Sequence, residues 1–114
     1  AMAYPVAGMV RDFHPAGYPT QHAMVPHGMS VILHTPAVAR FTAATSPQRH
    51  LLAAKALGAD ISKVSLSDAG RILADRVIHF MQTLNMPRGL IGSIAESRVI
   101  ISRAALLVNV NANI

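Results

Sequence analysis

The chain has 114 residues, 52% of them hydrophobic and only 13% charged, so it is too apolar for disorder and sized for one domain or part of one. Ten Lys and Arg against five Asp and Glu leave a net charge of +5, but the bases stand singly from Arg11 to Arg103 and form no stripe, which argues against a nucleic-acid surface. The absence of cysteine excludes disulfides, thiolate metal sites and a cysteine nucleophile, and no apolar run reaches the roughly 18 residues of a membrane span.

A free-standing domain of this size carries about 25% charged residues. The shortage predicts that something else covers much of the surface, either a larger enzyme body or a tight homo-oligomer. The start at Ala1 followed by Met2 carries no basic leader of the secretory type and reads as internal sequence.

The elements in chain order are almost all helical. Residues 1–12, "AMAYPVAGMVRD", predict a short helix with Pro5 in its first turn, where no N–H is needed. Residues 13–26 hold Pro15, Pro19, Pro26 and Gly17 and predict a loop that carries His14 and His22. Residues 27–45 predict a helix bent or broken near Pro36. Ser46 and Pro47 predict the cap and first residue of the next helix, which stops at Gly58. Residues 65–85 have the clearest period: Leu73, Val77, Phe80, Met81 and Leu84 fall on one predicted face. Ser65 and Asp68 resemble a capping box at its start, and Pro87 and Gly89 end it. The stretch from Ile91 to Ile114 mixes β-branched residues with alternating Val and Asn, and helix and strand both suit it. The fold class is therefore all-α, a helical bundle or part of one, with residues 91–114 left open.

Six histidines raise the question of a metal. Without cysteine, its ligands have to be His, Asp or Glu. On a continuous helix His27 and His34 would lie about 10.5 Å apart along the axis, while a ligand nitrogen sits about 2.1 Å from its metal. They are not a metal pair. His34 reads as a half-buried, hydrogen-bonded residue. His27, between Pro26 and Gly28 at a helix start, leaves two readings open: a metal-binding imidazole, or a histidine that only caps a loop-to-helix junction. His14 and His22 read as exposed, and His50 and His79 as surface or half-buried. Asp68 reads as a capping residue, Asp75 and Arg76 as a solvated face, and Asp12 and Asp60 as turn or helix-end residues. No carboxylate pair, serine nucleophile motif or glycine-rich phosphate loop is present, so no catalytic residue is assigned.

The stretches "AMAYPVAGMV", "VPHGMSVILHTPAVARFT", "SPQRHLLAAKALGAD" and "SLSDAGRILADRVIHFMQTLNMPRGL" together resemble the C-terminal helical domain of the iron-containing alcohol dehydrogenases, on the side of the transhydrogenase subgroup. The resemblance covers about residues 1–90, and its most specific element is the Pro26-His27-Gly28 junction before an apolar helix. It implies a parent enzyme that binds NAD in a Rossmann-like half and holds Fe²⁺, or another divalent metal such as Zn²⁺, in the helical half. Small alcohols, hydroxy acids or oxo acids would be its substrates. On this resemblance His27 matches the last metal-binding histidine. Tyr4 stands near the nicotinamide, where many relatives carry a histidine. The preceding ligand histidine would fall just before Ala1, and the aspartate, the earliest histidine and the Rossmann-like half lie outside this sequence. The resemblance thus implies a fragment that is inactive alone, from an intracellular enzyme, cytoplasmic or mitochondrial. The contrasting reading is a non-catalytic helical module for oligomerisation or partner binding.

Overall fold

The computed structural model describes residues 3–19 and 21–87. The tail after Leu90 and the stop at Gly89 lie outside them. Among the described residues every regular element is helical: α1 Ala3–Met9, α2 His27–Ile32, α3 Thr35–Thr42, α4 Pro47–Ala56 and α5 Ala69–Thr83, with single 3-10 turns at Ala43–Thr45 and Leu66–Asp68. The all-α expectation holds. The chain divides into two compact units, one containing the residues up to Leu33 and the other His34–Met86.

In the first unit α1 packs on α2. Pro5 is the third residue of α1, a position whose N–H has no partner within the helix, so the ring costs it no hydrogen bond. Val6 and Val10, four residues apart, bury one side of this segment together with Val25, and Phe13, Met29 and Leu33 pack around them. The loop between the helices is closed by the Met24 N–H donating to the Phe13 carbonyl at 2.8 Å. That bond brings Val25 back to the two valines of α1.

The predicted helix over 27–45 breaks at Leu33 and His34, two residues before Pro36. Pro36 lacks the N–H that would bond the Ile32 carbonyl, and its ring would clash with that group, so α2 has to end there. Pro36 then lies in the first turn of α3, where it is tolerated.

In the second unit α5 packs against both α3 and α4. The sequence expectation for α5 needs correction. The face it buries is Gly70, Ala74, Val77 and Met81, with Leu73 half-buried, whereas Phe80 and Leu84 are 47% and 63% exposed. Large apolar residues set the predicted stripe, but small ones set the real contact. Gly70 and Ala74 let the partner helices approach, and Ala39 of α3 with Ala43 of the following turn supplies an equally small surface facing Gly70.

The helix ends follow local chemistry. Ser46 occupies the cap position of α4 as predicted, but its side chain makes no capping bond. At the other end the Gly58 N–H reaches the Lys55 carbonyl and the Ala59 N–H the Ala54 carbonyl, both at 2.9 Å, around Gly58 at φ 88°. This is the left-handed stop that favours glycine. Asn85 at φ 52° ends α5 in the same way, through Asn85 N–H to Gln82 and Met86 N–H to Met81. The Ser65 hydroxyl accepts from the Ser67 N–H at 3.3 Å at the head of the 3-10 turn. Asp68 does not close a capping box and instead pairs with Arg71 at 3.4 Å.

Candidate functional site

The two residues singled out for a site meet in the first unit. Tyr4, the second residue of α1, is 74% exposed. His27 opens α2 and is also exposed. Their ring centroids are 5.4 Å apart with planes tilted by 39°. An edge-on or tilted contact at this distance is the arrangement aromatic quadrupoles favour.

The backbone under His27 is fixed from below. Ser30 is fully buried, and its hydroxyl donates to the His27 carbonyl at 2.7 Å. The Ser30 N–H donates to Pro26 at 3.0 Å. One turn of helix therefore holds the position of His27, and Tyr4 braces its ring from one side. The arrangement offers solvent an imidazole nitrogen and a neighbouring phenol.

That donor set does not make a metal site by itself. Among the described residues no group of three or more His, Asp or Glu side chains comes together to hold an ion. A divalent metal needs about four ligands in a closed site, or three plus water. His27 supplies at most one of them.

The other histidines separate by environment. His14 and His22 are exposed in the loop, and His79 is exposed on α5. His34 is half-buried at the cap position of α3 and belongs to the second unit. His50 is half-buried and bridges α3 to the α4 start, with Nε2 3.0 Å from the Thr42 hydroxyl and Nδ1 2.8 Å from the Ser46 carbonyl.

Arg76 departs from the sequence expectation. It is not part of a solvated face. Its Nε and Nη2 donate to the Leu57 carbonyl at 3.0 and 2.7 Å, clamping the end of α4 to α5. Only the fold brings position 76 to position 57, and no local spacing signals it.

An all-helical segment with an exposed Tyr–His pair at a Pro-His-Gly junction now stands beside what it resembles. No family model matches the chain, and no solved structure matches it. Curated relatives do. The "Probable hydroxyacid-oxoacid transhydrogenase, mitochondrial" of Dictyostelium discoideum is 50% identical over 90 residues, which is 78% of this chain and 16% of that protein. The "Hydroxyacid-oxoacid transhydrogenase, mitochondrial" of Xenopus tropicalis is 48% identical over 89 residues, and that of Homo sapiens 44% identical over 89 residues, each covering 78% of this chain and 19% of the relative. The chain is therefore similar to enzymes of the iron-containing alcohol dehydrogenase class. Within that class its similarity is to the hydroxyacid–oxoacid transhydrogenases. It spans less than a fifth of the length of these three relatives.

Proposed function

We propose that these residues serve as part of the helical, metal-binding half of an NAD-linked alcohol or hydroxyacid oxidoreductase of the transhydrogenase type. The observation that carries this reading is 50% identity to such an enzyme over 78% of the chain. The Tyr4–His27 contact agrees with it, because it leaves both side chains exposed toward whatever completes the site. In this reading His27 gives one imidazole to a divalent metal, and Tyr4 lies beside the nicotinamide. Metal and NAD supply the electrophile and the hydride carrier. The remaining ligands and the Rossmann-like half come from outside these 114 residues, so the chain alone is inactive. Residues 1–90 are the dehydrogenase-like part and 91–114 a divergent tail. The mitochondrial names of the relatives favour the same compartment for the parent enzyme.

The test is a chimera in which residues 1–90 replace the homologous segment of the Xenopus tropicalis enzyme. Retained hydride transfer from a hydroxy acid to an oxo acid, abolished by His27→Ala with folding intact, supports the reading. A folded, inactive chimera overturns it. So does NAD reduction by the isolated chain with 4-hydroxybutyrate that disappears in His27→Ala.

A further inference from the structure

The second unit contains a hollow of about 590 Å³ where the end of α3, the start of α4 and the start of α5 come together. Its walls include Ala43, Pro47 and Leu66, and it carries Arg40, Ser67 and Arg71 as polar groups. We propose that this hollow binds a small organic carboxylate with a short apolar body. The inference makes no use of Tyr4 or His27, which belong to the other unit.

The walls specify the ligand class. The methyl of Ala43, the ring of Pro47 and the side chain of Leu66 offer only dispersion contacts and apolar area, which suit a few methylene or methyl groups. Arg40 and Arg71 offer planar guanidiniums whose paired N–H donors match the two oxygens of a carboxylate. Ser67 adds a hydroxyl. Its oxygen lies 2.8 Å from the Ser65 hydroxyl oxygen, so when Ser65 donates, the Ser67 proton is released for a ligand.

The two guanidiniums are not saturated. Arg40 meets Asp75 through one contact at 3.5 Å, and Arg71 meets Asp75 and Asp68 through single contacts at 3.5 and 3.4 Å. All four side chains are between 45% and 61% exposed. Long, exposed, single-contact pairs of this kind are weak and are screened by solvent. Each arginine keeps donors that no carboxylate of the described residues engages bidentately. Asp75 touches both guanidiniums and is the internal competitor that an incoming carboxylate has to share or displace.

This competition gives a test that a purely structural role for the arginines would not pass. The probe is butyrate, titrated into the 114-residue chain and followed by the amide resonances of Ser67, Gly70 and Arg71, with 1-butanol and inorganic phosphate as comparison ligands. Saturable shifts confined to these amides with butyrate, and much weaker ones with butanol and phosphate, are expected. Arg40→Gln and Arg71→Gln each weaken butyrate about tenfold, while Asp75→Asn strengthens it. The three variants lie at exposed positions, and circular dichroism should show unchanged helicity. The proposal is overturned by an absence of saturable shifts, by equal response to butanol or phosphate, or by weaker binding in Asp75→Asn.

Discussion

Gly70 of α5 lies directly against Ala43: a Cβ built on Gly70 would fall 2.8 Å from the Ala43 Cβ, 3.0 Å from the Arg40 Cα and 3.1 Å from the Ala39 carbonyl oxygen. Two of those three atoms are backbone, and the third is a methyl carbon with no rotamer. None of them can move without shifting α3 on α5. Gly70→Ala therefore destabilises the chain. Overpacking of this kind costs about 1–3 kcal/mol, and the better helix propensity of alanine offsets at most about 1 kcal/mol of it. A lower urea midpoint with an unchanged slope is the expected measurement. Ala43→Gly in the Gly70→Ala background should recover part of the loss, since it removes the shortest contact and leaves the other two.

The Arg76 clamp predicts a different kind of loss. Two donors of one guanidinium converge on the Leu57 carbonyl, the capping residue of α4, where the helix dipole also favours a cation. Arg76→Met keeps the stem and loses both bonds. It should cost about 1.5–3 kcal/mol, the range for hydrogen bonds to a charged group. Arg76→Lys recovers less than half of that, because an ammonium cannot reproduce the fork. Hydrogen exchange at the Gly58 and Ala59 amides should quicken in both variants. Parent-like stability of the Arg76→Met variant would show that packing of the stem, and not the fork, holds α4 to α5.

These two contacts also mark what a sequence can reveal. Pro47, Gly58 and Ser65 were legible because each acts within a few residues of itself, through a missing N–H, a positive φ or a hydroxyl beside a free amide. His27 stands out by its place between Pro26 and Gly28, Tyr4 is singled out only through resemblance, and the structure brings their two rings together. Gly70 was invisible because its significance is the absence of a side chain opposite a residue 27 positions away in sequence. Arg76 was misread because charged residues on helices are usually solvated, and only the packing of α4 on α5 supplies its acceptor. Phe80 and Leu84 were misplaced for the converse reason: hydrophobic period weights large side chains, whereas α3 and α5 meet through small ones.

Asp60 gives the pH dependence its sign. The Ser62 backbone N–H donates to its carboxylate at 2.9 Å, and that bond, followed by the Ser62 hydroxyl, holds the Asp60 carboxyl below its ordinary value of 3.8. A folded value below the unfolded one means that the contribution is present above about pH 4 and is lost as pH falls through the folded value. Asp60→Ala should therefore lower the thermal midpoint at neutral pH, and the gap to the parent chain should close in acid. A gap that stays constant from neutral pH to strong acid would assign the effect to turn geometry instead of charge.

The hydrogen bonds of His50 fix the position of its ring proton. The Ser46 carbonyl can only accept, so the 2.8 Å contact requires a hydrogen on Nδ1 of His50. In the neutral ring Nε2 is then the acceptor and takes the Thr42 hydroxyl proton at 3.0 Å. Thr42 has a second claim on that proton, because its oxygen also lies 2.8 Å from the Val38 carbonyl. One hydroxyl cannot donate fully to both. Thr42→Val removes the donor, while the Nδ1 bond to Ser46 keeps the tautomer. Nitrogen chemical shifts of the His50 ring should accordingly report Nδ1–H in the neutral state of both the parent chain and Thr42→Val. His50→Leu loses both bonds and should cost about 1–2 kcal/mol. A neutral ring protonated on Nε2 would mean that the Ser46 contact is not a hydrogen bond, and Nε2 would then donate to the Thr42 hydroxyl oxygen instead of accepting from it.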